Sequence, residues 1–449
     1  MFFQKKTLKS FFSRKKTVAY FFLAVAAFCV GVWVGCVLQK KRAPMKTQHV
    51  SQDLMRAVQQ VFDAGFYKKT YLKNSTQDPF TFYMNRGFKD LHNPSPHFDA
   101  AFYERMYLKT PDGYLRGARQ NPLVHYIQKG KKEGFLTHPK LIKKATPLQN
   151  AKHYLCLTAI FRDEARFLKE WIEYYRMMGV EHFYLTNHLS KDNYMEVLNP
   201  YIDAGIVTLR DDFEVPDHAR HKTWKAIQNR AYKWALEDCR FKTEWLLMID
   251  TDEFVVPLEN ETLVAFLKNY DDCAAVAVHW KVFGTGNVKE VKRDELLLEK
   301  LVRCVDSKAT LGWWVKKELI GSSAHYYLKN KSVKSFVKPR YTKGIPDCHY
   351  AHLKEGYVAF NTAKKPCPPS WAYTDHCYSK ARVHHYVMRD LKFFKERKLK
   401  RHGKYTNEQG AFTRCLLKLD KLLSAKKDTT ALRFVPALKK RIFSSTLVP

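Results

Sequence analysis

The chain has 449 residues, of which 45% are hydrophobic and 14% aromatic. These values predict a folded core with accessory segments and exclude a disordered, fibrous or low-complexity chain. The formal net charge of +34 suits an anionic membrane surface, an acidic or phosphate-bearing substrate, or simply a solvated basic surface. Nucleic acid is not expected as a partner, because no helix-turn-helix, zinc-knuckle or RNP-like pattern lies beside the basic stretches.

The N-terminal segment predicts a membrane anchor. Residues 18–38 form a nearly unbroken apolar run, long enough to cross a hydrocarbon core and longer than the apolar part of a cleavable signal. A basic tail (1–17) precedes it and a linker (39–59) follows. Because both flanks are basic, they favour a cytoplasmic N-terminus only slightly. We expect a single-pass protein with membrane lipid as a partner, of Golgi type in a eukaryote or in the inner membrane of a bacterium.

Residues 60–145 contain an internal duplication, which predicts a small helical repeat module. The duplicated features are Phe62–Tyr67 with Tyr71 and Phe98–Tyr103 with Tyr107, then Asp78-Pro79 with Tyr83 and Gly87 and Asn121-Pro122 with Tyr126 and Gly130. The unit resembles segments found beside bacterial glycosyltransferase domains. Its aromatic residues are interpreted chiefly as helix packing, with direct sugar stacking as the alternative.

From residue 153 the pattern changes to alternating strand-like and helix-like segments, which predicts an α/β fold with a mainly parallel sheet. The domain is expected to extend over residues 153–402 and to be followed by a basic helical tail, residues 403–449. The predicted strands are 154–161, 182–186, 206–209 and 244–249, and the predicted helices are 164–178, 195–203 and about 221–238.

The strongest local signal for chemistry is the acidic cluster Asp250-Thr251-Asp252-Glu253, directly after the apolar strand 244–249. Open α/β sheets bind ligands at the carboxyl ends of their strands. Two carboxylates at that edge are suited to one Mg²⁺ or Mn²⁺ ion and the diphosphate that it bridges. Arg162, Asp163 and Glu164 end the first strand at the same edge, where phosphate or uridine could bind; the alternative is that Asp163 and Glu164 only cap the next helix.

Several ordered blocks of the chain resemble glycosyltransferase family 92 and its relatives in the family 2-like GT-A group. These blocks are Cys156–Glu164, Phe167–Tyr175, Met178–Tyr184, Gln228–Ala235, Glu244–Phe254, Val278–Thr285, Val333–Pro339 and His385-Tyr386. The resemblance implies a GT-A (Rossmann-like) domain that uses a UDP-sugar donor, with inverting transferases among the family's enzymes.

The resemblance also implies roles for particular residues. Asp250 and Asp252 would hold the divalent metal, and His385 would complete the metal site. Arg162, Asp163 and Glu164 would line the nucleotide pocket together with Asp250. One departure concerns His385: the family usually has Asn before its His-Tyr and Lys-Ser shortly after, where this chain has His384 and Arg389-Asp390. Another is Tyr174-Tyr175, where a Tyr-His pair is common.

Other assignments stay open from the sequence. Lys334 and Lys338 either neutralise phosphate or lie at the surface of a basic chain. The base that an inverting reaction needs is unassigned among Glu318, Asp347 and Asp375. No C-x-x-C pair indicates zinc, and Cys348, Cys367 and Cys377 are either free thiols or partly joined in a disulfide.

The sequence thus predicts a membrane-anchored, metal-dependent hexosyltransferase that uses a UDP-sugar. A glycan or glycolipid is the expected acceptor, and an anionic acceptor would account for the basic surface. The alternatives are an inactive GT-A-like carbohydrate-binding or scaffold protein, a basic membrane protein that binds nucleic acid, and a nucleotidyltransferase.

Overall fold

The computed structural model describes residues 51–110, 113–114, 119–211, 224–306, 330–370, 377–399 and 411–444. The predicted anchor, residues 18–38, lies outside these ranges. Within them, no helix is both long and apolar enough to cross a bilayer. By contacts the chain divides into two units, residues 1–57 and 58–449; the first described helix is α1 (Gln52–Val61).

The duplicated region folds as short helices that continue into π-helical turns, as predicted for a helical module. Its described elements are α2 (Ala64–Tyr71), α3 (Pro79–Phe82) with the turn Tyr83–Gly87, α4 (Ala100–Tyr103) with the turn Glu104–Leu108, the strands β1 (Lys109–Thr110) and β2 (Gly113–Tyr114), α5 (Pro122–His125) with the turn Tyr126–Gly130, and a 3₁₀ turn at Pro139–Leu141.

The two copies use the same contacts. Asp63 and Asp99 begin their helices by accepting a backbone N–H three residues later, each at 2.8 Å. Asp78 and Asn121, each ahead of a proline, also accept the N–H three residues later, at 2.8 and 3.3 Å, since a short polar side chain satisfies the free N–H groups of a first turn. The aromatic stack Tyr71–His92 recurs as Tyr107–Phe135, with ring centroids 4.0 and 4.1 Å apart.

Two fully buried tyrosines form the centre of the module. Tyr67 contacts His92 Nδ1 at 2.8 Å, and Tyr103 contacts His125 Nδ1 at 2.9 Å. A Cβ at Gly130 would lie 2.2 Å from the Tyr103 hydroxyl, so only glycine fits there. Burial of these rings supports the packing interpretation of the aromatic repeat.

The α/β domain is built on a sheet that has ten strands among the described residues, in the order β14-β13-β8-β10-β6-β3-β4-β5, with β15 pairing both β8 and β7. The strands are β3 (His153–Phe161), β4 (His182–Asn187), β5 (Val207–Arg210), β6 (Thr243–Met248), β7 (Glu253–Pro257), β8 (Ala275–Val282), β10 (Val333–Val337), β13 (Ala359–Asn361), β14 (Pro366–Cys367) and β15 (Ala381–His385).

Helices and shorter strands surround this sheet. They are α6 (Ala165–Met177), α7 (Tyr194–Asp203), α8 (Trp224–Cys239), α9 (Leu263–Leu267) with the 3₁₀ turn Lys268–Tyr270, α10 (Leu297–Lys300), β9 (Arg303–Cys304), the 3₁₀ turn Pro339–Tyr341, β11 (Thr342–Asp347), β12 (Tyr350–Leu353), α11 (Leu391–Phe393) with the π turn Phe394–Leu399, α12 (Ala411–Leu423), β16 (Lys426–Lys427), the 3₁₀ turn Thr430–Phe434 and α13 (Val435–Phe443).

The sheet has a parallel half and a mixed half. β6, β3, β4 and β5 run parallel to one another, which confirms the predicted α/β class. β10 runs antiparallel to both β6 and β8, and β15 runs antiparallel to β7. The carboxyl end of β6 therefore lies beside the amino end of β10.

The predicted basic tail is helical where it is described, and it belongs to the same core as the sheet. Leu419, Leu423, Phe434 and Leu438 are buried in one hydrophobic cluster with the apolar residues of β3, α6 and β7. The aspartate Asp420 also accepts hydrogen bonds from the backbone N–H and the hydroxyl of Thr285, at 2.7 and 2.6 Å. Cys348 and Cys377, two of the three cysteines for which a disulfide was an alternative, are free thiols.

Candidate functional site

The acidic cluster follows β6 at the edge where the parallel and antiparallel halves of the sheet meet. The side chain of Asp250 is held on both oxygens: Gln228 donates to Oδ1 at 2.7 Å and Tyr232 at 3.1 Å, while Lys334 Nζ lies 2.7 Å from Oδ2. Gln228 and Tyr232 reach it together because residues four apart share one face of a helix. Asp250 is therefore fixed in place by three partners.

Lys334 is the cation at the centre of this arrangement, and its side chain is completely buried. Its Nζ also lies 3.3 Å from Oε2 of Glu253. Burial by itself would lower the pKa of Lys334, but the two carboxylates raise it well above its ordinary value. For Asp250, burial acts to raise the pKa, but Lys334 outweighs it and holds the pKa low. Lys334 is thus charged and neutralises Asp250, and the surface interpretation of this lysine is wrong.

Lys338 is also buried, at the other end of the same strand. Its Nζ lies 2.6 Å from Oε1 of Glu244 and donates to the carbonyl of Asp271 at 2.7 Å. Because Glu244 lies near the start of β6 and Asp250 follows its end, the two lysines pair with acids at opposite ends of one strand. Lys338 is far from the acidic cluster, and the phosphate interpretation of it finds no support.

Glu253 connects the acidic cluster to the hydrophobic core through hydrogen bonds. Its Oε2 accepts the backbone N–H of Asp250 at 3.0 Å, and its backbone carbonyl accepts hydrogen bonds from Trp171 and Tyr175, both at 3.1 Å. Burial raises the pKa of Glu253 well above its ordinary value, even though Lys334 opposes this shift. The sequence singled out Glu253 only as a member of the acidic cluster.

Asp252 and His385 form the pair that fits a metal ion best. His385 Nε2 lies 3.6 Å from Oδ1 of Asp252, and the imidazole packs against Trp280 with ring centroids 4.3 Å apart. Two ligands of an octahedral ion lie roughly 3 Å apart, so a small movement would bring both onto one cation. Among the described residues, Asp250 does not form with them a group of three ligand atoms that all lie within 4.8 Å of one another, so its role as a metal ligand stays a prediction.

The predicted nucleotide segment ends β3, the parallel neighbour of β6. Asp163 has a left-handed backbone (φ 54°), and its Oδ1 accepts the N–H of Lys191 at 2.7 Å. Arg162 is partly exposed, with 39% of its side chain accessible. The carboxylate of Glu164 is buried in an ion pair with Arg389. Arg162 is therefore accessible to a nucleotide, whereas Asp163, with 12% of its side chain exposed and Arg397 Nη1 3.5 Å from its Oδ2, and Glu164 are held by protein partners.

Glu164 is the N-cap residue of α6 and its backbone carbonyl accepts the N–H of Leu168 at 3.1 Å, but the capping interpretation does not hold for its side chain. Its side chain makes no capping hydrogen bond to α6. Instead Asp192, from the loop after β4, accepts the N–H of Ala165 at 2.8 Å. The loops that follow β3 and β4 are thus joined by reciprocal hydrogen bonds.

Of the three proposed bases, Glu318 and Asp375 lie outside the described residues. Asp347 is described and pairs with Lys225 at 2.7 Å. Within the described residues, Asp347, Cys348 and His349 form the one grouping of three potential metal ligands whose donor atoms lie within 4.8 Å of each other. Asp347 is neutralised by Lys225 and His349 Nδ1 contacts the carbonyl of Val333 at 2.8 Å, so this turn is poorly suited to a cation.

Comparison with known proteins finds sequence similarity within the α/β domain. The sequence model of Glycosyltransferase family 92 matches residues 151–368. A glycosyltransferase family 92 protein of Ricinus communis is 25% identical over 218 residues, which are 47% of this chain and 34% of the relative. One from Oryza sativa subsp. japonica is 31% identical over 118 residues, covering 26% of this chain and 19% of the relative.

A third relative is the galactan beta-1,4-galactosyltransferase GALS3 of Arabidopsis thaliana, 27% identical over 110 residues that cover 23% of this chain and 21% of the relative. The chain thus spans about a third or less of these relatives' lengths. Among solved structures, S. aureus TarS overlaps with a TM-score of 0.24 at 11% identity, over 66% of this chain and 44% of TarS. The region that matches Glycosyltransferase family 92, residues 151–368, contains the acidic cluster, so the candidate site lies in the part of the chain that is similar to this family.

Proposed function

We propose that this protein is a metal-dependent glycosyltransferase that transfers a hexose from a UDP-sugar to a glycan or glycolipid acceptor. The observation that carries the proposal is the Asp252–His385 pair, 3.6 Å apart, beside an Asp250 that Lys334 holds in place. A carboxylate and an imidazole at the carboxyl end of a buried strand leave the remaining positions of a Mn²⁺ or Mg²⁺ ion to diphosphate oxygens.

The protein groups have separable tasks in this proposal. Asp252 and His385 would hold the metal, which neutralises the charge that develops on the departing nucleoside diphosphate. Arg162 would supply a further positive charge at the same edge. Asp250 would orient the donor, and Lys334 would fix Asp250 without touching the nucleotide, because its side chain is completely buried.

Several finer features belong to the same proposal. We expect an inverting reaction with a base from the second half of the chain, and galactose is the first donor sugar to test, because one relative is named a galactosyltransferase. The apolar run 18–38 would anchor the protein in a membrane. The net charge of +34 would favour lipid headgroups or an anionic acceptor.

The experiment is donor turnover by the full chain, with a panel of UDP- and GDP-sugars, with and without Mn²⁺. We expect metal-dependent release of UDP from one donor, and a loss of more than about 100-fold in Asp252→Asn, since the metal stabilises the leaving group. The matched control is Asp272→Asn, which removes only a half-exposed ion pair with Lys364. A folded protein that binds none of these donors would contradict the proposal and favour an inactive carbohydrate-binding or scaffold protein.

A further inference from the structure

Two segments that are distant in sequence are joined by several ion pairs beside the candidate site. We call residues 162–166 the donor loop and residues 389–397 the clamp segment. Arg389 pairs with Glu164, Asp390 Oδ2 lies 3.0 Å from Arg166 Nη2, and Arg397 Nη1 lies 3.5 Å from Asp163 Oδ2. Three pairs of opposite charges therefore join the donor loop to the clamp segment.

Arg389 is the most constrained residue of the clamp segment. Its side chain is completely buried, and its guanidinium lies 4.4 Å from the ring centre of Phe167 and 5.3 Å from that of Phe393. Its backbone is in the left-handed region (φ 55°), which a non-glycine residue adopts only where its surroundings enforce it. Among the described residues, its Nε and Nη1 have no hydrogen-bond partner.

A buried ion pair of this kind is poor evidence for stability, because apolar residues of the same volume are often as stable. A better attested role of a buried ion pair is to favour one conformation of the surrounding chain over alternative conformations. Asp390 has the same character: it is fully buried, accepts the N–H of Val291 at 3.0 Å and caps α11 through the N–H of Phe393 at 2.8 Å. Both residues thus hold other groups in place.

The clamp segment begins four residues after His385, the last residue of β15. The donor loop leads from β3 into α6 and contains Arg162 and Asp163. A single set of ion pairs therefore connects the segment of the candidate metal ligand to the segment of the candidate nucleotide contacts.

We propose that Arg389 and Asp390 are positioning residues that hold the donor loop and the His385 segment in one arrangement, so that nucleotide and metal meet a preformed site. The inference rests on the proposed function for the identity of the ligands. It goes beyond that function because it assigns a role to residues that would contact neither ligand.

The central variant is Arg389→Met, which keeps the volume and removes the charge. Arg389→Lys is the second variant, because lysine keeps the charge but lacks the planar group that lies between the two rings. The matched control is Lys338→Met, which breaks the buried pair with Glu244 at the other end of β6. Three quantities are measured on the full chain: the melting temperature, binding of Mn²⁺ alone and of UDP with Mn²⁺ by calorimetry, and backbone hydrogen exchange.

We expect Arg389→Met to weaken the binding of Mn²⁺ and of UDP by about 10-fold to 100-fold, the usual effect of losing a group that orients metal ligands. Hydrogen exchange should become faster in residues 162–166 and in 385–388 together. Lys338→Met should lower the melting temperature without either effect. If Arg389→Met folds, Arg389→Lys should show the same changes to a smaller extent. If Arg389→Met does not fold, Arg389→Lys alone is compared with the wild-type protein and with Lys338→Met.

Two other outcomes are informative. If the Arg389 variants lower the melting temperature as Lys338→Met does, while binding and exchange in the two segments stay unchanged, the pair is only structural and the inference is overturned. If the wild-type protein binds neither Mn²⁺ nor UDP, the proposed function fails. The exchange measurements then still decide whether Arg389 couples the two segments.

Discussion

Replacing Lys334 by methionine tests whether this lysine neutralises the acidic cluster. At an effective dielectric constant of about 20, the charges of Lys334 and Asp250, 2.7 Å apart, attract by roughly 6 kcal/mol. The substitution also removes the penalty of several kcal/mol for burying the ammonium group. We therefore expect Lys334→Met to lower the free energy of unfolding by about 3–5 kcal/mol, the usual loss when one partner of a buried pair is removed.

The loss would arise because Glu253 has no exposed side-chain surface and Asp250 has only 29% exposed, so water cannot replace the lysine fully. The assay is urea unfolding of the full chain, followed by tryptophan fluorescence. The double variant Lys334→Met/Asp250→Asn should recover a large part of the lost stability, because it removes the carboxylate charge that Lys334 neutralises. A loss below about 1 kcal/mol in the single variant, or no recovery in the double variant, would refute the reasoning.

Two further predictions concern other parts of the molecule. Gly130→Ala should destabilise the repeat module by about 1–3 kcal/mol, because its Cβ would lie 2.2 Å from the Tyr103 hydroxyl. In the control Gly344→Ala, the new Cβ would have nothing within 4 Å, so the free energy of unfolding in urea should change by less than about 0.5 kcal/mol. Equal losses of stability in the two variants would contradict this prediction. Burial, assisted by Lys334, lowers the pKa of His349 to about 4, whereas in the unfolded chain it is about 6.5. The unfolded state therefore binds the proton first, and the His349 contribution to stability should fall as the pH drops from about 6.5 to 4. His349→Gln should remove that part of the pH dependence, and an NMR titration of His349 with a midpoint near its ordinary value would show the prediction to be wrong.

The parallel half of the fold was predictable because each element carries a local pattern. The strand predicted at 154–161 is observed at His153–Phe161, and the helix predicted at 164–178 at Ala165–Met177. Buried strands are continuous apolar runs, and a surface helix has an apolar stripe of period 3.6. The antiparallel pairing of β10 between β6 and β8 leaves no such local mark, because strand direction depends on the path of the whole chain.

The tail shows a different limit of sequence interpretation. Its basic residues suggested a segment separate from the catalytic domain, yet Leu419 and Leu438 are 1% and 0% exposed. Long basic side chains extend to solvent from helices whose other face is apolar. The basic residues of α12 and α13 therefore indicate only that one face of each helix is exposed to solvent. The spacing of their leucines indicates that the other face packs against the core.

The position of the acidic cluster at a strand end could be predicted, but the partners that define its electrostatics could not. Asp250 and Lys334 are 84 residues apart in sequence and meet only because β10 runs antiparallel to β6. In a chain with 78 lysines and arginines, composition gives no reason to single out Lys334 or Lys338. Their spacing of four places both on the same face of β10, and the acids at the two ends of β6 lie opposite them. Two buried lysines on one strand thus have different consequences: Lys338 anchors the start of β6, whereas Lys334 sets the charge of the site where a donor would bind.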